Sequence, residues 1–335
     1  MIKLKKVALG LVLSLGIFSS GCQSLPTTLT AKLMDNQQTR ENVKYLEQYA
    51  NQQIQQKLIV KTDLNYGDQS SQRLDLIYPE KLQFQKLPVV FLVHGGGWVA
   101  GNKGGMLPYA KLIADQGFLV VNVEYSLVPK AAYPEQVLEL NQAINYVMQH
   151  QNELPLDPTR IFLSGDSAGA NISSSYVAAL NAPEMAQQLK LNPSISAKQV
   201  QGMVLHSGVY DLKALYHSSA QAGRIVAWGA QGVIAQYSGQ QQPTDQQLDL
   251  MSAYPWLNSK FPPVYISATE VDVLTKTQTQ PFIKKLQELG VPVTAQVYNK
   301  DYQEQINHDF NFNMRFKASH DVFKQSIEFL KQHSH

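Results

Sequence analysis

Cysteine is almost missing from this chain: one residue, Cys22, in 335. A single thiol closes no internal disulfide and builds no multi-cysteine zinc site. Charge is scarce as well. Only 16% of residues are charged, and the formal net charge is +2. A surface so close to neutral offers no electrostatic draw to nucleic acid. None of the eight histidines stands in an H-E-x-x-H or similar spacing, so no zinc motif of that kind is visible, and no metal or cofactor is implied. There is no internal repeat and no apolar run long enough for a polytopic membrane protein. What remains is an ordinary globular composition, 44% hydrophobic. At this length such a chain buries a large core without staples.

The N-terminus differs from the rest. Lys3, Lys5 and Lys6 precede an almost wholly apolar stretch from Val7 to Phe18, which ends in Ser19-Ser20-Gly21-Cys22. That is the layout of a secretory signal peptide, and it is short for a transmembrane span. Residues 18–22 resemble the lipobox of bacterial lipoproteins. The resemblance implies removal of residues 1–21 and lipidation of Cys22, hence an exported protein held to a membrane by its acyl chains. Gln23, where an Asp would mark inner-membrane retention, points to the periplasmic face of an outer membrane. Three of the 28 basic residues lie in residues 1–21 and no acidic ones do. The remaining 25 against 26 acidic residues give −1, so the slight basicity belongs to the export segment.

Residues 22–34 are expected to be a tether. Val43, Leu46, Tyr49, Ala50 and Ile54 recur at helical steps and predict an amphipathic helix over 40–56. From Lys57 onward strands and helices alternate. Residues 58–60 and 74–78 read as a hairpin or meander around Gly67-Asp68. Residues 89–93, 118–123, 160–164, 200–206, 264–267 and 293–298 read as strands. Helices are expected over 107–116, from Pro134 through Val147, over 167–180, over 276–289 and over 318–332. This alternation predicts an α/β fold with a mostly parallel sheet and helices on both faces. Residues 212–261, with Trp228, Tyr237, Tyr254 and Trp256, break the rhythm and read as an insertion over one end of the sheet.

Two motifs carry chemistry. Gly165-Asp166-Ser167-Ala168-Gly169 follows a predicted strand and opens a predicted helix, the context of a nucleophile elbow. It would expose the Ser167 hydroxyl above a helix N-terminus. His94-Gly95-Gly96-Gly97-Trp98 follows the strand 89–93. Its glycines can turn backbone N–H groups toward a developing oxyanion. Gly96, Gly97 and Ala168 are the candidate donors, and His94 is expected to order the loop rather than act as base. Trp98 is a candidate wall of the pocket.

Together the motifs resemble the α/β-hydrolase superfamily, and within it the hormone-sensitive-lipase-like esterases, over about residues 57–332. Glu124 to Pro129, Tyr133-Pro134 and Leu156 to Arg160 also resemble that family, although Ser126 stands where an arginine is usual. The chain order Ser, Asp, His then selects the partners. Asp272, in a loop after the strand 264–267, resembles the family's acid, with Glu270 as its rival. His308, in His308-Asp309-Phe310, resembles the family's H-x-F. His206, His217, His320, His333 and His335 are expected to be packing or surface residues.

The resemblance implies a serine carboxylesterase for short- to medium-chain esters, working through an acyl-enzyme. Its domain would cover 35–335, with cap elements at about 35–56 and 212–261 and Trp228 as a candidate pocket residue. Gly223 to Gly239 is apolar enough to cover a pocket or to touch a membrane. The alternatives are an arylamide hydrolase like the kynurenine formamidases, whose HGGxW motif residues 94–98 also fit, or a non-enzymatic binding protein on a hydrolase fold.

Overall fold

A computed structural model describes residues 25–220 and 224–335. The signal segment and Cys22 lie outside the described residues. The described chain opens with α1 (Leu25–Met34) and α2 (Gln37–Gln53). Residues 25–34, expected as part of a tether, are therefore helical. The reason is a packing partner: Pro26 and Thr27 are buried, and Pro26 sits against Gly232. Asn36 caps α2, its side chain accepting from Thr39 N, which satisfies one orphan N–H of the first turn.

Next come β1 (Leu58–Asn65), β2 (Arg73–Pro79), β3 (Leu87–Val93), α3 (Lys103–Asp115), β4 (Leu119–Val123), α4 (Glu135–Gln149), β5 (Leu156–Asp166), α5 (Ser167–Asn181), α6 (Pro183–Leu189) and β6 (Val200–His206). The insertion holds α7 (Leu212–Ser219), α8 (Arg224–Ser238) and α9 (Asp245–Leu250). The chain then returns through β7 (Val264–Thr269), α10 (Gln280–Glu288), β8 (Val293–Tyr298) and α11 (Lys317–Gln332). The helix expected over 276–289 begins as a π-helical turn, Thr275–Thr279, before α10.

The strands form one sheet in the order β1-β2-β4-β3-β5-β6-β7-β8. β1 and β2 pair antiparallel with each other, β2 pairs antiparallel with β4, and the other pairings are parallel. Helices cover both faces, which explains the continuous apolar run of β3. Val89, Phe91 and Val93 enter one core cluster, and Val90 and Leu92 enter the other. The parallel strands all point the same way, so the loops after β3, β5, β7 and β8 gather at one end of the sheet.

Candidate active site

Ser167 sits at the junction of β5 and α5 with φ +49, a left-handed conformation costly for a residue with a Cβ. The turn is possible because its flanks lack side chains. A Cβ on Gly165 would lie 2.6 Å from the carbonyl carbon of Gly169, and one on Gly169 would strike the Val93 carbonyl oxygen. The serine is thereby lifted off the sheet end at the start of α5.

His308 reaches it from the loop after β8. Its Nε2 lies 2.9 Å from Ser167 Oγ, and its Nδ1 lies 2.6 Å from Asp272 Oδ2. Asp272 is in the loop after β7, its side chain 3% exposed against 36% for the imidazole. Its second oxygen accepts from Leu274 N at 2.9 Å, so the carboxylate is clamped by its own loop. Glu270 is exposed and faces Lys300 N instead. The rival histidines His206, His217 and His320 stand apart. His206 is buried against Ser267 Oγ at 2.7 Å, and burial pulls it down to about 3, so it is neutral. His217 pairs with Asp245 on the surface, and His320 faces Tyr49 OH and the Met314 carbonyl.

Two further carboxylates lie here. Asp309 has φ +55 and turns back, so that its Oδ2 stands 3.2 Å from His308 Nε2, beside Ser167 Oγ. Asp166 is buried and accepts from Gly95 N at 3.0 Å. Burial, reinforced by the charge of Asp309, pushes Asp166 well above the usual carboxylate range. Burial lifts Asp309 to about 6 against the pull of His308. Burial would lower His308, but Asp309, Asp272 and Asp166 outweigh it and raise the imidazole to about 9. Sequence reasoning missed Asp309 as a site residue. Its only signal was adjacency to His308, and only the left-handed turn brings it back.

The glycine loop after β3 winds tightly. Gly96, Gly97 and Trp98 have φ +112, +58 and +62, and Gly96 O accepts from Val99 N and Ala100 N. His94 orders this loop as expected: it is buried, contacts Gly95 O at 2.7 Å and Glu124 Oε1 at 3.2 Å, and stacks on Tyr125. Gly96 lines a cleft of about 680 Å³ together with Gly95, Asp166, Ser167, His308 and Asp309. Its outer wall is Met34, Asp35, Thr39, Arg40, Val43 and Leu46 from the N-terminal helices. Gly97 lies under Met34, and Ala168 is buried at the start of α5.

Both tryptophans expected in the pocket are placed elsewhere. Trp98 is turned inward and stacks on Tyr237 at 4.4 Å, because the positive φ of the loop swings its side chain into the core. Trp228 is exposed on α8 and does not line the cleft. Among the described residues, none of 212–261 lines it. That insertion packs on α5 instead, through contacts such as Asn171 Nδ2 with the Met251 carbonyl.

The BD-FAE family model matches residues 74–286. The chain belongs to the BD-FAE family. The matched span runs from β2 into α10 and includes Ser167 and Asp272. Relatives of this family member include a probable isoprenylcysteine alpha-carbonyl methylesterase of Arabidopsis thaliana. It is 33% identical over 118 residues, which is 35% of this chain and 25% of that protein. A probable carboxylic ester hydrolase of Mycobacterium tuberculosis is 30% identical over 158 residues, 46% of this chain and 35% of that protein. The matches thus span a quarter to about a third of these curated relatives. Among solved structures, esterase B from Lactobacillus rhamnosis superposes with a TM-score of 0.77 at 18% identity, covering 95% of this chain and 97% of that one. A Pyrobaculum calidifontis esterase gives 0.67 at 20% identity, covering 92% and 94%. The fold of this BD-FAE family member is that of the α/β hydrolases.

Proposed function

We propose that this chain is a serine carboxylesterase, akin to the hormone-sensitive-lipase-like enzymes, that hydrolyses short- to medium-chain carboxylic esters. The observation that carries the reading is the unbroken path from Asp272 through His308 to Ser167 at 2.6 and 2.9 Å. Relatives named as ester hydrolases support it.

In the proposed reaction His308 takes the Ser167 proton as Oγ attacks the ester carbonyl carbon. Asp272 holds the imidazole in its tautomer and stabilises the imidazolium. The backbone N–H groups of Gly96, Gly97 and Ala168 receive the oxyanion. His308 then protonates the leaving alkoxide oxygen as the acyl C–O bond breaks. Water, deprotonated by the same imidazole, attacks the acyl-enzyme and releases the acid and free Ser167. Met34, Val43, Leu46, Met106 and Phe312 give the cleft an apolar side suited to an acyl chain.

We further propose that export and lipidation at Cys22 place the enzyme on a bacterial cell membrane, at the periplasmic face of an outer membrane. The support is the residue pattern Lys3 to Cys22. A fluorophosphonate probe should label the protein and fail to label Ser167→Ala. Absence of labelling in the unaltered chain would return the reading to a binding protein. Butyrate esters should turn over faster than N-formylkynurenine, and the reverse order would make it an arylamide hydrolase.

A further inference from the structure

α1 presents two unlike faces. At about 100° per residue, Leu25, Leu29 and Leu33 fall within an arc of about 80°. They are 55%, 46% and 65% exposed. Thr27, on the other side, is buried, and Pro26, which borders the stripe next to Leu33, is buried as well. Three bare leucines in one stripe are unusual on a helix that has a packing partner, since a surface helix ordinarily turns its apolar stripe inward. Lys32 flanks the stripe and is exposed. α8 lies against the buried side, with Gly232 close to Pro26. Trp228, one turn earlier on α8, is 44% exposed. Met34, the last residue of α1, points the other way, into the cleft over Gly97.

We propose that the Leu25-Leu29-Leu33 stripe with Trp228 is a docking face for a phospholipid bilayer, which seats the cleft mouth at the membrane surface. The chain that leads into this face favours that occupant. α1 begins three residues after Cys22, the proposed point of acyl attachment, so an anchored chain would hold the stripe within about 10 Å of the bilayer surface. A stripe of leucines with a flanking lysine and a neighbouring tryptophan is the composition of a helix lying in the interface plane. The proposal rests on the membrane placement proposed above and adds that the bilayer touches protein side chains, not the acyl chains alone. An ester dissolved in the membrane would then meet the cleft under Met34 without crossing bulk water.

The test uses the full chain, isolated from a Gram-negative host and reconstituted into phosphatidylethanolamine–phosphatidylglycerol vesicles with brominated acyl chains. Emission quenching is compared between the unaltered chain and Trp228→Phe, which isolates the Trp228 signal. Expected is quenching of Trp228 that disappears in Leu25→Gln/Leu29→Gln/Leu33→Gln, while the variant's turnover of a water-soluble ester stays unchanged. An unquenched Trp228, or quenching that persists in the triple variant, overturns the docking face. The mass of the N-terminal peptide reports Cys22 acylation separately. An acylated Cys22 with an unquenched Trp228 leaves the anchor and removes the face. An unacylated Cys22 with a quenched Trp228 does the opposite.

Discussion

The two walls of the cleft are built on opposite terms. α5, which carries Ser167, buries every residue from Ser167 to Ala179. α2, on the outer wall, buries only Leu46 and Ala50, and α1 only Pro26 and Thr27. Ser167 is therefore mounted where moving it would open the whole core, and the outer wall where local opening breaks few contacts. Such a division suits an enzyme that must hold a serine within tenths of an ångström of its base and still admit a substrate. It also separates two kinds of residue: those whose loss stops chemistry and those whose loss changes only access or docking.

Substitutions can break or sharpen that division. The largest effect is expected from Ser167→Ala, which should lower kcat for a short-chain aryl ester by about 10⁴-fold or more with the melting temperature preserved. Retained turnover would remove the serine from its role. Asp272→Asn should come next, with a fall in kcat of about 10³- to 10⁴-fold from loss of the tautomer lock. A loss under tenfold would hand the role to Asp309. Trp98→Ala tests the core side of the comparison through stability. Emptying the buried slot against Tyr237 should cost about 3 kcal/mol, read by urea denaturation. A pocket residue would instead alter KM at constant stability.

The pH profile gives a smaller effect. In the proposed reaction His308 is a base only when neutral, and its neighbours raise it to about 9, so kcat/KM should climb with pH toward that value. Asp309→Asn removes the carboxylate at 3.2 Å from Nε2. The imidazole then loses its proton at lower pH, and the acid limb should move down by about one pH unit. An unmoved limb would make Asp309 a spectator. The smallest effect is expected from Trp228→Ala: stability within about 0.5 kcal/mol and unchanged kinetics on a water-soluble ester, because it is exposed and off the cleft.

The sheet was readable in advance because its signals are local. Residues 200–206 and 293–298 are the strands β6 and β8 with unchanged bounds: the first is a mostly buried apolar run, and the second is an edge strand of Val, Thr and Tyr set off by Gly290 and Pro292. The elbow was readable for a similar reason: Gly165 and Gly169 are required by backbone atoms that any copy of the turn would bring close. The covering regions were not. Trp98 and Trp228 are both large, apolar and near glycines, yet one lies inside and one outside, and no periodicity in their neighbourhoods distinguishes them. Residues 22–34 looked like a tether because α1 has little intrinsic reason to form without the α8 surface beneath Pro26.

The sequence by itself determined the alternating fold, the elbow that lifts Ser167 and the glycine loop beside it, because each depends on residues adjacent in the chain. Only the tertiary structure decided that His308 and Asp272, 141 and 105 residues away from Ser167 in the numbering, align with it in one hydrogen-bonded path. The same holds for Asp309 folding back on Nε2 and for the N-terminal helices, not the described part of 212–261, walling the cleft. Those outcomes depend on where separate loops meet at one end of the sheet, and that meeting point is set by packing between elements far apart in the chain.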